Sequence, residues 1–144
     1  MRATRKLSVK ERMSRSIALR KGEVIMRSDF VSMGSQSQLT RALNSLVEEG
    51  KIVRIGYGLY AKARASSISG KPVPRVILEL LAEETLRKMG IEPRAGAALR
   101  AYNEGRTDQI PMRTVYDTGR RQISRKITVG ARSVNYENDY KSRI

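Results

Sequence analysis

The chain has 144 residues, enough for one domain or two small ones, and carries 29 Lys and Arg against 14 Asp and Glu, a formal charge of +15. It contains no histidine and no cysteine, which excludes disulfides, thiolate chemistry, the usual zinc sites, Ser-His-Asp triads and Cys-His pairs. No apolar run approaches the roughly 20 residues of a membrane-spanning helix, and the basic N-terminus lacks the apolar stretch of a secretory signal, so the cytoplasm is the expected compartment.

Taken in chain order, Arg2, Arg5 and Lys6 form a basic start, readable either as an arm along phosphates or as a solvated end. Ser8 with Glu11 makes a capping-box pattern ahead of Met13, Ile17 and Ala18 and predicts a helix over 8–19, ended near Gly22. Residues 23–26 are expected to be a short extended link with Val24 and Ile25 inward. Ser28 or Asp29 should cap a second, short helix through Phe30, Val31 and Met33, and Gly34 then makes the turn.

Residues 35–61 carry the strongest pattern in the chain. Leu39, Ala42, Leu43, Leu46 and Val47 recur at i, i+3, i+4, i+7 and i+8, one apolar stripe of a helix that Ser35 or Ser37 caps and Gly50 ends. Ile52, Val53 and Ile55, then Gly56-Tyr57-Gly58, then Leu59-Tyr60-Ala61 predict a hairpin with a three-residue connection. The order helix, helix, helix, strand, strand is that of a winged helix-turn-helix. On the polar face of the third helix stand Gln36, Ser37, Gln38, Thr40, Arg41, Asn44 and Ser45, with acids only at Glu48 and Glu49. Side chains of these types at the start of a helix can read base edges in the major groove, so Gln36, Ser37, Gln38, Thr40, Arg41 and Asn44 are the candidate base contacts. Arg54, Tyr57, Lys62 and Arg64 on the wing are the candidate phosphate contacts, which position a protein without specifying sequence. Tyr60 alternates with the outward positions of its strand and is expected in the core.

Residues 1–64 hold 14 basic and 5 acidic residues, and residues 65–144 hold 15 and 9, so the positive charge is not confined to a tail. Such a balance attracts a polyanion, most simply double-stranded DNA, though an acidic protein partner fits as well. Residues 65–74, beginning ASSISG and continuing through Pro72 and Pro74, are expected to be a linker. A helix should follow over 75–89 with Val76, Ile77, Leu80 and Leu81 as its stripe, flanked by Leu78 and Leu86. A shorter helix is expected over 96–103. After Pro111 the pattern turns β-like at Val115-Tyr116, Ile123, Ile127-Thr128-Val129 and Val134-Asn135-Tyr136, with turns at Thr118-Gly119 and Gly130-Ala131. Arg120, Arg121, Arg125, Lys126 and Arg132 are expected on the outward side of this sheet, as added DNA contacts, a partner surface or a merely soluble face. The expected class is α+β, with a winged helix-turn-helix over 1–64 and a small α+β module over 75–144 for partner binding, dimerisation or extra DNA contact.

One catalytic arrangement merits a test. Asp117 with Asp139-Tyr140-Lys141 imitates the D…(D/E)xK pattern of magnesium-dependent nucleases, although D-x-K is common by chance in so charged a chain. A phosphate loop is lacking, and Gly56-Tyr57-Gly58 has no dinucleotide-fingerprint context, so no cofactor is expected.

The segment RALNSLVEEGKIVRIGYGLYAKAR resembles the winged helix of the AbiEi-type antitoxins and their short relatives. The later stretch EPRAGAALRAYNEGRTDQIPMRTVYDTGRRQISRKITVG is similar to their next block, in which a helix rich in small residues leads through a Thr/Ser-x-Gln-x-Pro turn, here Thr107-Asp108-Gln109-Ile110-Pro111, to a basic hairpin. The resemblance covers roughly residues 10–136. It implies a DNA-binding antitoxin that represses its own promoter and counters a cognate toxin, typically a nucleotidyltransferase, with residues 72–136 meeting that partner. The alternative is a stand-alone winged-helix regulator or accessory DNA-binding protein whose second module serves dimerisation or extra DNA contact. A homodimer on two half-sites suits either.

Overall fold

The computed structural model describes residues 6–137 and is of the α+β class, with four α-helices and two sheets. It divides into two compact units, Met1–Arg75 and Val76–Ile144.

In the first unit α1 (Val9–Leu19) opens with the expected capping box: the Ser8 hydroxyl accepts from the Glu11 amide while the Glu11 carboxylate accepts from the Ser8 amide. Residues 23–26 are more than a link. Val24–Met26 is a strand, β1, with Val24 and Ile25 buried. A 3-10 turn over Arg27–Phe30 stands where the second helix was expected, with Asp29 reaching back to accept from the Met26 amide at 3.0 Å. Its single turn is enough to bury Phe30.

The next helix, α2 (Gln36–Glu48), is capped by Ser35, not Ser37, and buries Leu39, Ala42, Leu43 and Leu46. Gly50 leaves it with a φ of 74°, a conformation that costs little without a Cβ. The strands β2 (Ile52–Gly56) and β3 (Leu59–Ala65) then pair antiparallel. Gly56 still pairs with Leu59, so the connection is two residues, Tyr57 and Gly58, and the positive φ falls on Gly58; the third residue expected in the loop is taken up by a register shift between Arg54 and Gly56.

Residues 65–74 are a second hairpin and not a linker. β3 runs on to Ala65, and β4 (Pro72–Pro74) returns along it, pairing Ala65 with Pro72 and Ala63 with Pro74. The sheet order is β1-β3-β2, and β4 takes over from β1 on the same edge of β3: the Lys62 amide donates to Glu23 and the Lys62 carbonyl accepts from the Arg75 amide. Prolines are tolerated there because an edge strand has spare positions for residues without an N–H. The core of this unit gathers Met13, Ile17, Ile25, Phe30, Leu39, Leu43, Leu46, Ile52 and Tyr60. Tyr60 is buried as expected but not by alternation, since Leu59, Ala61 and Lys62 beside it are buried too: β3 is the strand with neighbours on both edges.

In the second unit the helix α3 is Leu78–Lys88, shorter at its start than expected: the Arg75 amide is still bonded to the Lys62 carbonyl, and Ile77, extended at ψ 161°, is the residue that caps the helix. Its phase also differs. Leu78, Leu81, Ala82, Thr85 and Leu86 face inward, while Ile77 and Leu80 are 61% and 53% exposed. Thr85 joins the apolar side by donating its hydroxyl to the Leu81 carbonyl at 2.7 Å, which satisfies the group inside the helix. A two-residue strand, β5 (Arg94–Ala95), precedes α4 (Ala97–Asn103). β6 (Thr114–Asp117), β7 (Thr128–Val129) and β8 (Arg132–Glu137) complete a sheet of order β5-β6-β8-β7, in which β6 and β8 are parallel and the other pairs antiparallel. The expected basic hairpin is β7–β8, turned by Gly130 at φ 60°. Ile123 is in no strand.

Candidate nucleic-acid interface

The exposed face of α2 carries all six residues expected to meet bases: Gln36, Ser37, Gln38, Thr40, Arg41 and Asn44 are each exposed. They are not equally free. Gln38 completes a capping box, its Oε1 accepting from the Ser35 amide at 2.8 Å and its own amide donating to the Ser35 hydroxyl at 3.2 Å. Its remaining hydrogen-bonding atoms are the N–H groups of the side-chain amide. Gly34 makes room for this cap, since a Cβ there would stand 2.8 Å from Gln38 Oε1 and 3.1 Å from Val9 Cγ2. Ser37 lies 3.2 Å from the Ser35 hydroxyl, and Thr40 donates back to the Gln36 carbonyl at 3.0 Å. Arg41 and Asn44 have no side-chain partner among the described residues.

At the hairpin, Tyr57 stands at the tip, 83% exposed. Arg54 is exposed and donates to the Gly56 carbonyl at 3.1 Å, which holds its guanidinium beside the tip; Arg64 is exposed near the other end of β3. Lys62 departs from expectation. It is only 8% exposed, and its ammonium donates to the Arg20 carbonyl just past α1. In β3 it belongs to the buried stretch Leu59–Lys62, so it serves the fold and is withdrawn from the phosphate contacts.

Arg27 enters the same surface although nothing in the local sequence marks it. Its amide donates to the Gly58 carbonyl at the hairpin tip at 2.9 Å. Its guanidinium grips the first residue of α2, with Nε 3.1 Å and one terminal nitrogen 2.8 Å from Gln36 Oε1, that nitrogen also lying 2.8 Å from the Gln36 carbonyl oxygen. One residue thus ties the hairpin tip to the start of the polar helix. Arg20 anchors the turn that carries Arg27: its guanidinium lies 5.3 Å from the centre of the Phe30 ring and 3.7 Å from Asp29.

The five basic residues expected on the outward side of the second sheet do not form such a face. Of these five only Arg132 is in a strand; Arg120, Arg121, Arg125 and Lys126 belong to the irregular chain between β6 and β7. Arg132 bonds the Glu79 carboxylate and, at 3.0 Å, Thr114, while Arg121 donates to the Met89 carbonyl at 3.2 Å. Arg125 is half-buried. Arg120 and Lys126 are the two that remain exposed without a side-chain partner among the described residues.

The residue picked out for nuclease chemistry is an internal clamp. Asp117 is 2% exposed, and its carboxylate takes Arg94 at 3.1 Å, Arg100 at 3.0 Å and the Gly119 amide at 2.8 Å. A carboxylate with both oxygens so engaged has little left for a metal ion. Asp139 and Lys141 lie outside the described residues, and among the described residues no three carboxylates gather. Tyr116 completes the interior of this unit. Its hydroxyl lies 3.2 Å from the Glu79 carbonyl and 3.1 Å from the Glu83 carboxylate, and burial, reinforced by Glu83, pushes its pKa up, so it stays a protonated donor. Beside it runs a cleft of about 420 Å³ in which Leu99, Ile110 and Met112 meet Glu79, Glu83 and Arg132.

A model of a family of unknown function, DUF6088, matches residues 10–142. The chain belongs to that family. Its match runs through both compact units, so the family is defined by the pair and not by the first unit alone. Among curated proteins none matches the chain. Among the described residues no helix is long and apolar enough to cross a membrane.

Proposed function

We propose that the first unit is a winged helix-turn-helix that binds double-stranded DNA, with α2 as the recognition helix and the β2–β3 hairpin as the wing. The observation that carries this reading is the exposed, acid-free start of α2 beside an exposed Tyr57 on a hairpin tip, both fixed through Arg27. A helix entering the major groove by its N-terminal end brings Gln36, Ser37, Thr40, Arg41 and Asn44 to base edges, and Gln38 through its amide N–H groups. Arg54, Tyr57 and Arg64 then fall to the backbone.

The likeness of two segments to the AbiEi-type antitoxins extends this to a biological role: a protein that represses its own promoter and counters a cognate nucleotidyltransferase-type toxin. The second unit supplies the partner surface in that reading, with Arg120 and Lys126 among the exposed basic groups available to it. A footprint on the promoter of its own operon tests the DNA half. Co-expression with the neighbouring reading frame tests the other half: relief of that frame's toxicity supports the antitoxin role. If the frame is harmless alone, or its toxicity persists, the role reduces to a stand-alone regulator.

A further inference from the structure

Gln36 is the first residue of α2, and its side-chain amide has two unlike ends. In an unrestrained glutamine both can serve a base: the oxygen accepts from adenine N6 while the nitrogen donates to adenine N7, the usual bidentate pairing. Here the choice has been made inside the protein. Arg27 offers Nε at 3.1 Å and a terminal nitrogen at 2.8 Å to the same Gln36 atom. A guanidinium has donors only, so the atom it faces must be the oxygen, and two N–H groups from one edge of the guanidinium converge on it. The same terminal nitrogen also holds the Gln36 carbonyl at 2.8 Å, so three contacts direct the guanidinium onto this one residue, while the bond from the Arg27 amide to Gly58 fixes the backbone from which it reaches. What remains of Gln36 for a ligand is the amide nitrogen with its two N–H donors.

We infer that Arg27 is a positioning residue that makes Gln36 a donor-only reader, so that this helix position selects guanine and rejects adenine. Guanine presents two adjacent acceptors in the major groove, N7 and O6. Adenine presents N7 beside the N6 amino group, and that amino group would face a second donor with no acceptor to receive it. The guanidinium's positive charge behind the amide adds to the preference for an acceptor edge. The inference rests on α2 being the recognition helix and goes further, assigning the base that one of its residues takes and the residue that imposes the choice.

The test is a selection of bound duplexes from a randomised DNA pool by the full chain, repeated with two variants. Wild type should enrich a motif with guanine at one position, and a guanine-to-adenine change there should weaken binding about tenfold, within the range of a lost bidentate pair. Arg27→Met keeps the stem but removes the N–H groups; it should turn that position, and no other, from guanine towards adenine. Gln36→Glu keeps a partner for Arg27 but offers no donor, and should abolish the guanine preference there. Thermal melting of both variants separates altered reading from altered folding, and Gln36→Glu, on an exposed side chain, keeps the test open if Arg27→Met is unstable. A uniform loss of affinity over all sequences, or base preferences unchanged in both variants, overturns the assignment while leaving DNA binding intact. If the wild-type chain retains duplexes but enriches no motif, the assignment falls alone; if it retains no duplex, the DNA reading falls and the assignment with it.

Discussion

Lys62, Asp117 and Arg41 show how differently three charged residues of one basic chain are used. The Lys62 ammonium is turned onto the Arg20 carbonyl, so Lys62→Ala should lower stability by about 1–3 kcal/mol in urea unfolding, because it strips a partner from a part-buried carbonyl. It should leave the salt dependence of DNA binding unchanged, whereas Arg54→Ala should reduce that slope by about 0.9 if Arg54 holds one phosphate. Asp117 holds Arg94 and Arg100 from a fully covered position. Asp117→Ala leaves those guanidiniums facing one another without their anion, and about 3 kcal/mol should be lost, the lower end of the range for a broken buried pair because Arg94 is half exposed. Magnesium-dependent DNA cutting that disappears in this variant without loss of fold would revive the nuclease reading. Arg41 has neither duty. Arg41→Ala should keep the melting temperature and relax sequence preference, at a cost of about 1–3 kcal/mol on the preferred site if it makes a bidentate base contact.

Elements in this chain begin and end where local chemistry is explicit. Two capping boxes start α1 and α2, and Gly50 ends the α2 segment with a positive φ against Pro72, whose Cγ would lie 3.2 Å from an added Cβ. Gly50→Ala should therefore cost about 1–2 kcal/mol, through the backbone and through the crowding of the β3–β4 hairpin. In the second unit α3 is held to β6 and β8 through Glu79, which bonds Thr114 at 3.1 Å and Arg132. Burial alone would raise the Glu79 pKa, but hydrogen bonds from Arg132, its own backbone and Thr114 outweigh it and hold the carboxyl below its ordinary value of 4.5. A carboxyl depressed in the folded state binds protons more readily when unfolded, so its stabilising contribution is complete above that ordinary range and is lost as pH falls below it. Thermal melts of wild type between about pH 3 and pH 7 should show this loss, and Glu79→Gln should show a shallower acid slope.

For the whole molecule the charge of +15 is a statement about association, not about fold. If the first unit binds duplex DNA as proposed, the logarithm of affinity should fall linearly with the logarithm of salt, by about 0.9 for each phosphate neutralised. A flat salt profile would mean that the excess charge answers to some other partner. The second unit directs Arg94, Arg100, Arg121 and Arg132 onto its own acceptors. Much of its positive charge therefore maintains structure, and a count of basic residues overstates what it can offer a ligand.

The local pattern alone determined α1, α2 and the β2–β3 hairpin. Each is written in short-range terms: Ser8 with Glu11, the stripe from Leu39 to Val47, and a glycine where the chain must turn. The α+β class and the exposed polar face of α2 follow from the same signals. Tertiary structure decided what depends on distant neighbours. Whether Val24–Met26 and Pro72–Pro74 become strands depends on the free edge of β3, which no window around them contains. Leucine is found on more than one side of α3, and only the surface it packs on chose Leu78 and Leu81 over Ile77 and Leu80. Lys62, expected on the phosphate backbone, and Arg27, which no local pattern marks, both took roles set by distant partners. One was drawn inward by a carbonyl 42 positions away, the other onto a glutamine 9 positions away, because hydrogen-bond partners are set by proximity in space and not by spacing along the chain.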